Sequence, residues 1–243
     1  MLVTRYVLAR DHGTGKDVLE VACGSGIGLG VLARRARRVV GGDFTISLLK
    51  TARRQYGSRI PLVRLDAQAL PFGPSSFDVV LLYEAIYYLR CAERFLAEAQ
   101  RVLRPEGVLI VCTVNREWVD FNPSPFSTRY YSASELSSLF EVSGFRCTIL
   151  GAFPVGRARG IDALVSLIKR TAVALRLIPR TMKGKQILKR LFLGRLTPLP
   201  SELQDSPGIS PEPLTAILEG QRADRFRVIY VVGSRLMPAP DSP

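Results

Sequence analysis

Short apolar runs alternate with helical stripes from the start of the chain to about residue 155. Val18, Leu19 and Val21 make the continuous run that a strand buried on both faces shows. Leu29, Val31, Leu32, Ala33 and Ala36 then recur at helical spacing. A strand is predicted at 38–43, followed by an amphipathic helix at 46–56 with Leu48, Leu49, Ala52 and Tyr56 on its apolar side. Strands follow at 60–65, 77–82 and 108–114. A helix at 93–103 precedes the last of these, and the Pro105 and Gly107 turn closes it. Leu136, Leu139, Phe140 and Val142 mark a further helix, capped by Ser132 or Ser134 and ended at Gly144. Strands at 146–155 and 225–236 complete the pattern, with a short helix or lead-in at 5–10 and a turn at 11–15 before it. Seven strands alternating with helices predict an α/β fold, a mostly parallel, doubly wound sheet covered on both faces.

The stretch from Asp17 to Leu29 is the most informative: a buried strand carrying Glu20, a turn with Gly24, Gly26 and Gly28, then a helix start. Glycines permit positive φ and leave the backbone open to a ligand, and this arrangement makes a nucleotide-sized pocket at the carboxyl end of a sheet. A dinucleotide fingerprint would need a small residue where Leu29 or Val31 stands, and no Gly-Lys-Ser/Thr follows to make a P-loop. Glu20 instead faces a ligand that can itself be cationic, which suits S-adenosylmethionine. Asp43 falls 19 residues after Gly24, where a ribose-binding acid belongs, and Phe44 beside it offers one face to an adenine. Glu20, Asp43 and Asp66 end three successive strands, so a parallel sheet brings them to one crevice.

Leu19-Glu20-Val21-Ala22-Cys23-Gly24-Ser25-Gly26, Gly42-Asp43, Asp66-Ala67 with Leu70-Pro71-Phe72, Phe77-Asp78-Val79-Val80 and Arg101-Val102-Leu103-Arg104-Pro105 with Gly107 together resemble the class I S-adenosylmethionine-dependent methyltransferases, most of all the branch that modifies small molecules, quinones and sugars. The resemblance covers about residues 16–145. It implies a Rossmann-like sheet of seven strands with the last antiparallel. It also implies that Glu20 and the loop around Ala22, Gly24 and Gly26 hold the methionine end of the cofactor. Asp43 would bind the ribose hydroxyls, Asp66 and Ala67 would meet the adenine edge, and Tyr83 and Glu84 would border cofactor and substrate. Only about fifteen residues precede the first strand, fewer than family members usually carry over the cofactor. Either the pocket is more open here or another segment closes it.

Charge adds a second theme. The chain carries a net +13, and between Gly151 and Arg195 eleven basic residues stand against the single acid Asp162, a local +10. At helical spacing from 161 to 178 the polar positions Asp162, Ser166, Lys169, Arg170 and Arg176 fall on one stripe, and 183–195 forms a second basic amphipathic helix. Such helices suit an anionic membrane surface or a lipid-bearing substrate, or else cap the sheet edge with solvated lysines. The segment is too apolar for a phosphate-tracking groove, so nucleic acid is the weaker partner. The chain therefore divides into a cofactor-binding core (1–155), a basic helical insertion (156–224), and the last strand with its tail (225–243). Cys23, Cys91, Cys112 and Cys147 lie in or beside apolar runs without a C-x-x-C pair, which predicts reduced cysteines in the cytoplasm. With His12 the only histidine, no metal site is expected. Neither a signal peptide nor a bilayer-spanning run is visible, so a cytoplasmic protein, peripheral at most on the inner membrane face, is expected.

Methyl transfer is an in-line displacement at an activated sulfonium carbon, for which a protein supplies mainly alignment and desolvation. A hydroxyl acceptor adds the need for a base, for which Glu84, Tyr87, Tyr88 and His12 are the candidates. The aromatic, proline-rich stretch 118–131 offers flat faces for rings or sugars, or packs as a surface loop. These features favour a methyltransferase acting on a small molecule or a lipid-linked sugar. The rival readings are a catalytically silent cofactor-binding or membrane-surface adaptor protein and an RNA methyltransferase.

Overall fold

The computed structural model describes residues 1–155, 202–203 and 210–236. The predicted basic helices at 161–178 and 183–195 lie outside them. The described elements run α1 (Leu2–Gly13), β1 (Asp17–Val21), α2 (Leu29–Ala33), β2 (Arg38–Asp43), α3 (Ile46–Tyr56), β3 (Leu62–Arg64), β4 (Phe77–Tyr83), a 3-10 turn (Ile86–Tyr88), α4 (Ala92–Val102), β5 (Leu103–Val114), α5 (Ala133–Val142), β6 (Phe145–Pro154), β7 (Thr215–Ala216) and β8 (Phe226–Arg235). The sheet order is β3-β2-β1-β4-β5-β8-β6-β7. Strands β1 to β5 pair in parallel, and β8 runs antiparallel between β5 and β6. This is the Rossmann-like α/β sheet expected, with the late strand antiparallel. It has one strand more than the seven predicted, because Thr215–Ala216 adds a two-residue edge to β6.

Burial on both sides explains the apolar runs. Along β4 the side chains of Val79, Leu81 and Tyr83 join the core beneath α1, α2 and α3. Phe77, Val80 and Leu82 point the other way, into the core shared with α4 and α5. Ser132 makes the N-cap of α5 with a full capping box: its hydroxyl accepts from the Glu135 N–H, and the Glu135 carboxylate accepts from the Ser132 N–H. At Gly41 an added Cβ would stand 2.7 Å from Leu29 Cδ1, and at Gly42 2.2 Å from Leu65 Cδ2, so two leucines pack straight onto the β2 backbone. No helix among the described residues is long and apolar enough to cross a membrane.

Two local readings change. The N-terminal helix is a full element from Leu2 to Gly13, absorbing part of the turn expected at 11–15. Residues 104–107 do not stand apart as a turn. Phe77 pairs with Leu103 and Val79 with Val108, so the Arg104–Gly107 stretch is bulged out of β5, with Glu106 at φ +61°.

The amino end of β1 is fastened by charge. The Asp17 carboxylate is buried and lies 2.8 Å from Arg37, 2.9 Å from Arg104 and 3.6 Å from Arg38. Asp78 on β4 accepts the Asp17 N–H at 2.8 Å and pairs with Arg104 at 2.8 Å. Hydrogen bonds from Arg37, against the cost of burial, hold the Asp17 carboxyl far below its usual range. A depressed carboxyl stabilises the fold above its unfolded pKa, and that contribution is lost as pH falls through the acid range. Because Arg37 and Arg38 are largely exposed, the contribution is discounted to about 1–2 kcal/mol. Urea unfolding of Asp17→Asn should show that loss at pH 7, and the difference from wild type should shrink at pH values below about 3.

Candidate functional site

The carboxyl edge of the parallel strands is where the chemistry-bearing residues gather. Register brings Val21 level with Gly42 of β2 and with Leu82 of β4, so the chain leaves all three strands at one height. Ala22, one residue past β1, sits at φ +59°, and Glu84, one residue past β4, at φ +51°. Non-glycine residues held there cost of order 1 kcal/mol or more each, a strain tolerated where the surroundings fix the backbone.

The loop after β1 is fixed from several sides. Cys23 N–H donates to Gly42 O at 2.9 Å, and Gly26 N–H donates to Cys23 O at 2.9 Å. Gly24 and Gly26 lie at φ +60° and +77°. Asp43 fastens the loop from β2, with Oδ2 accepting the Gly24 N–H at 2.8 Å and Oδ1 the Thr45 N–H at 2.7 Å. Tyr56, at the end of α3, donates to Gly26 O at 2.7 Å and accepts the Gly30 N–H at 3.2 Å. A Cβ on Gly28 would fall 1.8 Å from Tyr6 Cζ, whereas one on Gly24 would meet nothing within 4 Å. Space therefore opens in front of Gly24, while the loop's far side is packed against helices.

Glu20 is the unusual group. It is only 2% exposed, and its Oε1 accepts a 2.6 Å hydrogen bond from the Tyr6 hydroxyl. Its Oε2 is buried with no hydrogen-bond partner. Burial, opposed by the Tyr6 hydrogen bond and by Arg5 and reinforced by nearby Asp43, pushes the carboxyl up to about 7. The lone pairs of that oxygen are desolvated and unsatisfied, a cost that a hydrogen-bond donor, and a cationic one most of all, relieves.

The same helix, α1, holds a second carboxylate. Arg5 donates to Glu84 Oε1, and the Tyr87 hydroxyl donates to Oε2 at 3.1 Å. Tyr83 is buried, and its hydroxyl donates to Arg5 O at 3.1 Å. Burial, then the neighbouring Glu84, raise the Tyr87 phenol far above its usual value, so at neutral pH it is a donor rather than a base. Tyr87 stacks on Tyr130 with centroids 4.9 Å apart and meets Tyr88 edge-on at 4.6 Å; Phe121 meets Tyr130 edge-on at 4.7 Å. Thr128 N–H donates to Tyr87 O at 2.8 Å, which ties the aromatic loop to the turn after β4.

The other predicted positions fall around this centre. Phe44 is 66% exposed, with Arg64 stacked 5.7 Å from its ring centroid. Asp66 is exposed at the same edge. Its Oδ1 accepts from Gln68 N–H at 2.9 Å, and Ala67 is buried beside it. Glu84, Tyr87 and Tyr88 come together, but His12 does not join them. It lies in the last turn of α1, next to Gly13, which packs on Val18 low on β1. Arg5 and Tyr6 escaped the sequence reading. Their helix has no clear apolar stripe, and their partners are 79 and 14 residues away. The only signal was the question of what covers the site, and α1 is the element that brings Arg5 to Glu84 and Tyr6 to Glu20.

Residues 19–111 match the sequence profile described as "Methyltransferase domain". A "probable S-adenosylmethionine-dependent methyltransferase" of Mycolicibacterium smegmatis is 37% identical over 156 residues, covering 61% of this chain and 60% of its own length. One from Mycobacterium tuberculosis is 36% identical over 157 residues, covering 62% and 56%. The phthiotriol/phenolphthiotriol dimycocerosates methyltransferase 1 of Mycobacterium ulcerans is 40% identical over 114 residues, covering 46% and 40%. The match thus spans about three fifths or less of these curated relatives. Among solved structures, the YcgJ protein of Bacillus subtilis superposes with a TM-score of 0.62 at 13% identity, covering 96% of this chain and 99% of its own. The [4+2]-cyclase SpnF superposes at 0.61 with 18% identity, covering 96% and 80%. At those identities the likeness is one of fold. Residues 19–111 thus resemble a methyltransferase domain, the first curated relatives carry the name of S-adenosylmethionine-dependent methyltransferases, and the sheet beneath is Rossmann-like.

Proposed function

We propose that the chain transfers a methyl group from S-adenosylmethionine to a small-molecule or lipid-linked acceptor. The observation that carries this reading is the Glu20 carboxylate, buried with one oxygen held by Tyr6 and the other without a partner. A cationic amino end satisfies that oxygen with a charge-assisted hydrogen bond, stronger than a neutral donor gives, and an anionic ligand is repelled. Ala22, Gly24 and Gly26 present backbone beside it, with open space at Gly24. Each Asp43 oxygen accepts one backbone N–H and retains lone pairs for ribose hydroxyls. Phe44 offers its exposed ring to the adenine, Asp66 and Ala67 its edge, and Tyr83 the floor between cofactor and acceptor.

When bound, the cofactor supplies a methyl group activated by a positively charged sulfur. The chain's own residues align the acceptor and keep water out. Glu84, steadied by Arg5 and Tyr87, is the group that takes a proton from an acceptor hydroxyl. Tyr87, Tyr88, Phe121 and Tyr130 give flat apolar faces to a ring, sugar or alkyl segment. A lipid acceptor is supported by the name of the Mycobacterium ulcerans relative and by the local charge of residues 151–195.

Calorimetry should give micromolar binding of S-adenosylmethionine, weakened about tenfold to a hundredfold in Glu20→Ala, the range for a hydrogen bond to a charged group. Asp43→Ala should weaken it as well, by loosening the loop. No binding to the wild type would sink the proposal. Affinity should fall as pH drops below about 7, where Glu20 takes up its proton, and Tyr6→Phe should move that midpoint upward. The same group predicts a trade. A carboxyl raised from 4.5 to about 7 makes no destabilising contribution of its own below pH 4.5 and an increasing one as pH rises towards 7. The loss is on the order of 3 kcal/mol. Glu20→Gln should therefore melt higher than wild type at pH 8 without ligand, yet bind the cofactor about tenfold to a hundredfold more weakly.

On the acceptor side, Glu84→Gln should lower kcat about a hundredfold or more while leaving cofactor affinity nearly unchanged. Labelled methyl transfer into fractionated cell lipids checks the acceptor class. Label entering total RNA instead would overturn the acceptor, not the cofactor, half of the proposal.

A further inference from the structure

The outer side of the glycine loop is closed by two residues from far along the chain. Leu203 N–H donates to Ile27 O at 2.7 Å, a carbonyl of the loop itself. Arg34 Nη2 donates to Leu203 O at 3.3 Å. Glu202 Oε2 accepts from Gln55 Nε2 on α3 at 3.4 Å, and its Oε1 lies 3.9 Å from Arg34 Nη1. The Leu203 side chain packs partly buried against the core beneath α1, α2 and α3. Gly30 leaves the room for this. A Cβ built there would stand 1.8 Å from Glu202 Oε1, so the carboxylate occupies the space of the missing side chain. Nothing in the proposed chemistry touches Glu202 or Leu203.

We propose that Glu202 and Leu203 form a clasp that positions the glycine loop for its ligand, making Glu202 a positioning residue for cofactor binding. The clasp acts on the loop through three attachments: the Ile27 carbonyl, the Gly30 gap in α2 and Gln55 on α3. Gln55 directly precedes Tyr56, which holds Gly26 O from the same side. Loop and clasp therefore share one wall, and loosening the wall costs the loop its preorganisation. The proposal deepens the methyltransferase reading and rests on it for the ligand.

Two substitutions in the full chain separate positioning from bulk stability. Glu202→Ala removes the contacts to Gln55 and Arg34. Gly30→Ala evicts the carboxylate by occupying its place; because the obstructing atom is the end of a flexible side chain, the backbone need not move. Alanine is also the better helix former at that site, so a purely structural role predicts an unchanged or higher melting temperature and unchanged affinity. The clasp predicts that both variants bind S-adenosylmethionine about two- to tenfold more weakly, the size set by one hydrogen bond, with Glu202→Gln falling between them and wild type. It also predicts faster amide exchange across residues 26–30 in the ligand-free protein. Unchanged exchange in both variants would overturn the clasp. Faster exchange in the variants, together with a wild type that binds no cofactor, would keep the clasp and reject the methyltransferase reading instead.

Discussion

The site depends on one unfavourable interaction, the burial of a carboxylate on the central strand of the sheet. Glu20 lies on β1, every residue of which is buried, and only one of its oxygens has a hydrogen-bond donor in the chain. Water would remove that cost, and the fold excludes it with α1 on one side and the paired strands on the other. A sequence selected for stability alone would carry glutamine or a hydrophobe there. In the proposed reading the counter-charge arrives with a ligand, and the desolvation cost of the carboxylate becomes part of the binding preference for a cation.

Such a group is useful only if its surroundings do not relax to rescue it, and the loop in front of it is held from several directions. Asp43 holds Gly24 from β2, Tyr56 holds Gly26 from α3, and Leu203 holds Ile27 from outside. Ala22 and Glu84 can sustain left-handed backbone because the strands on either side of them are fixed in register. Preorganisation of this kind is distributed: no single hydrogen bond is strong, but each removes a way for the loop to collapse onto Glu20.

The parts governed by periodicity were legible in the sequence. Helix α3 and strand β2 fall at the predicted residues, and Glu20, Asp43 and Asp66 do reach one edge of the sheet. What periodicity cannot encode is long-range polar pairing. Asp43 was expected to serve a ligand, yet both of its oxygens also hold backbone N–H groups. Arg5 and Tyr6 act through partners whose spacing follows no period, and their helix lacks the stripe that would have marked it as cover. The Arg104–Gly107 stretch shows the converse: its turn chemistry was read correctly, but strand pairing on both sides turned it into a bulge. Thr215–Ala216 is too short for any pattern to announce.

The [4+2]-cyclase SpnF shares this fold, and a fold does not by itself choose a reaction. In the proposed reading that choice lies with Glu84 and the aromatic residues after β4 and β5, and ligand binding with Glu20 and its loop. The two halves are joined through consecutive residues of α1: Arg5 holds Glu84 and Tyr6 holds Glu20. Neighbouring positions on a helix point about 100° apart, so one turn of α1 straddles the two carboxylates and keeps their separation nearly constant. A shift of α1 would disturb both at once. Arg5 and Tyr6 thus tie both carboxylates to one element, and in the proposed reading a substitution that moves α1 acts on ligand binding and on the acceptor side together.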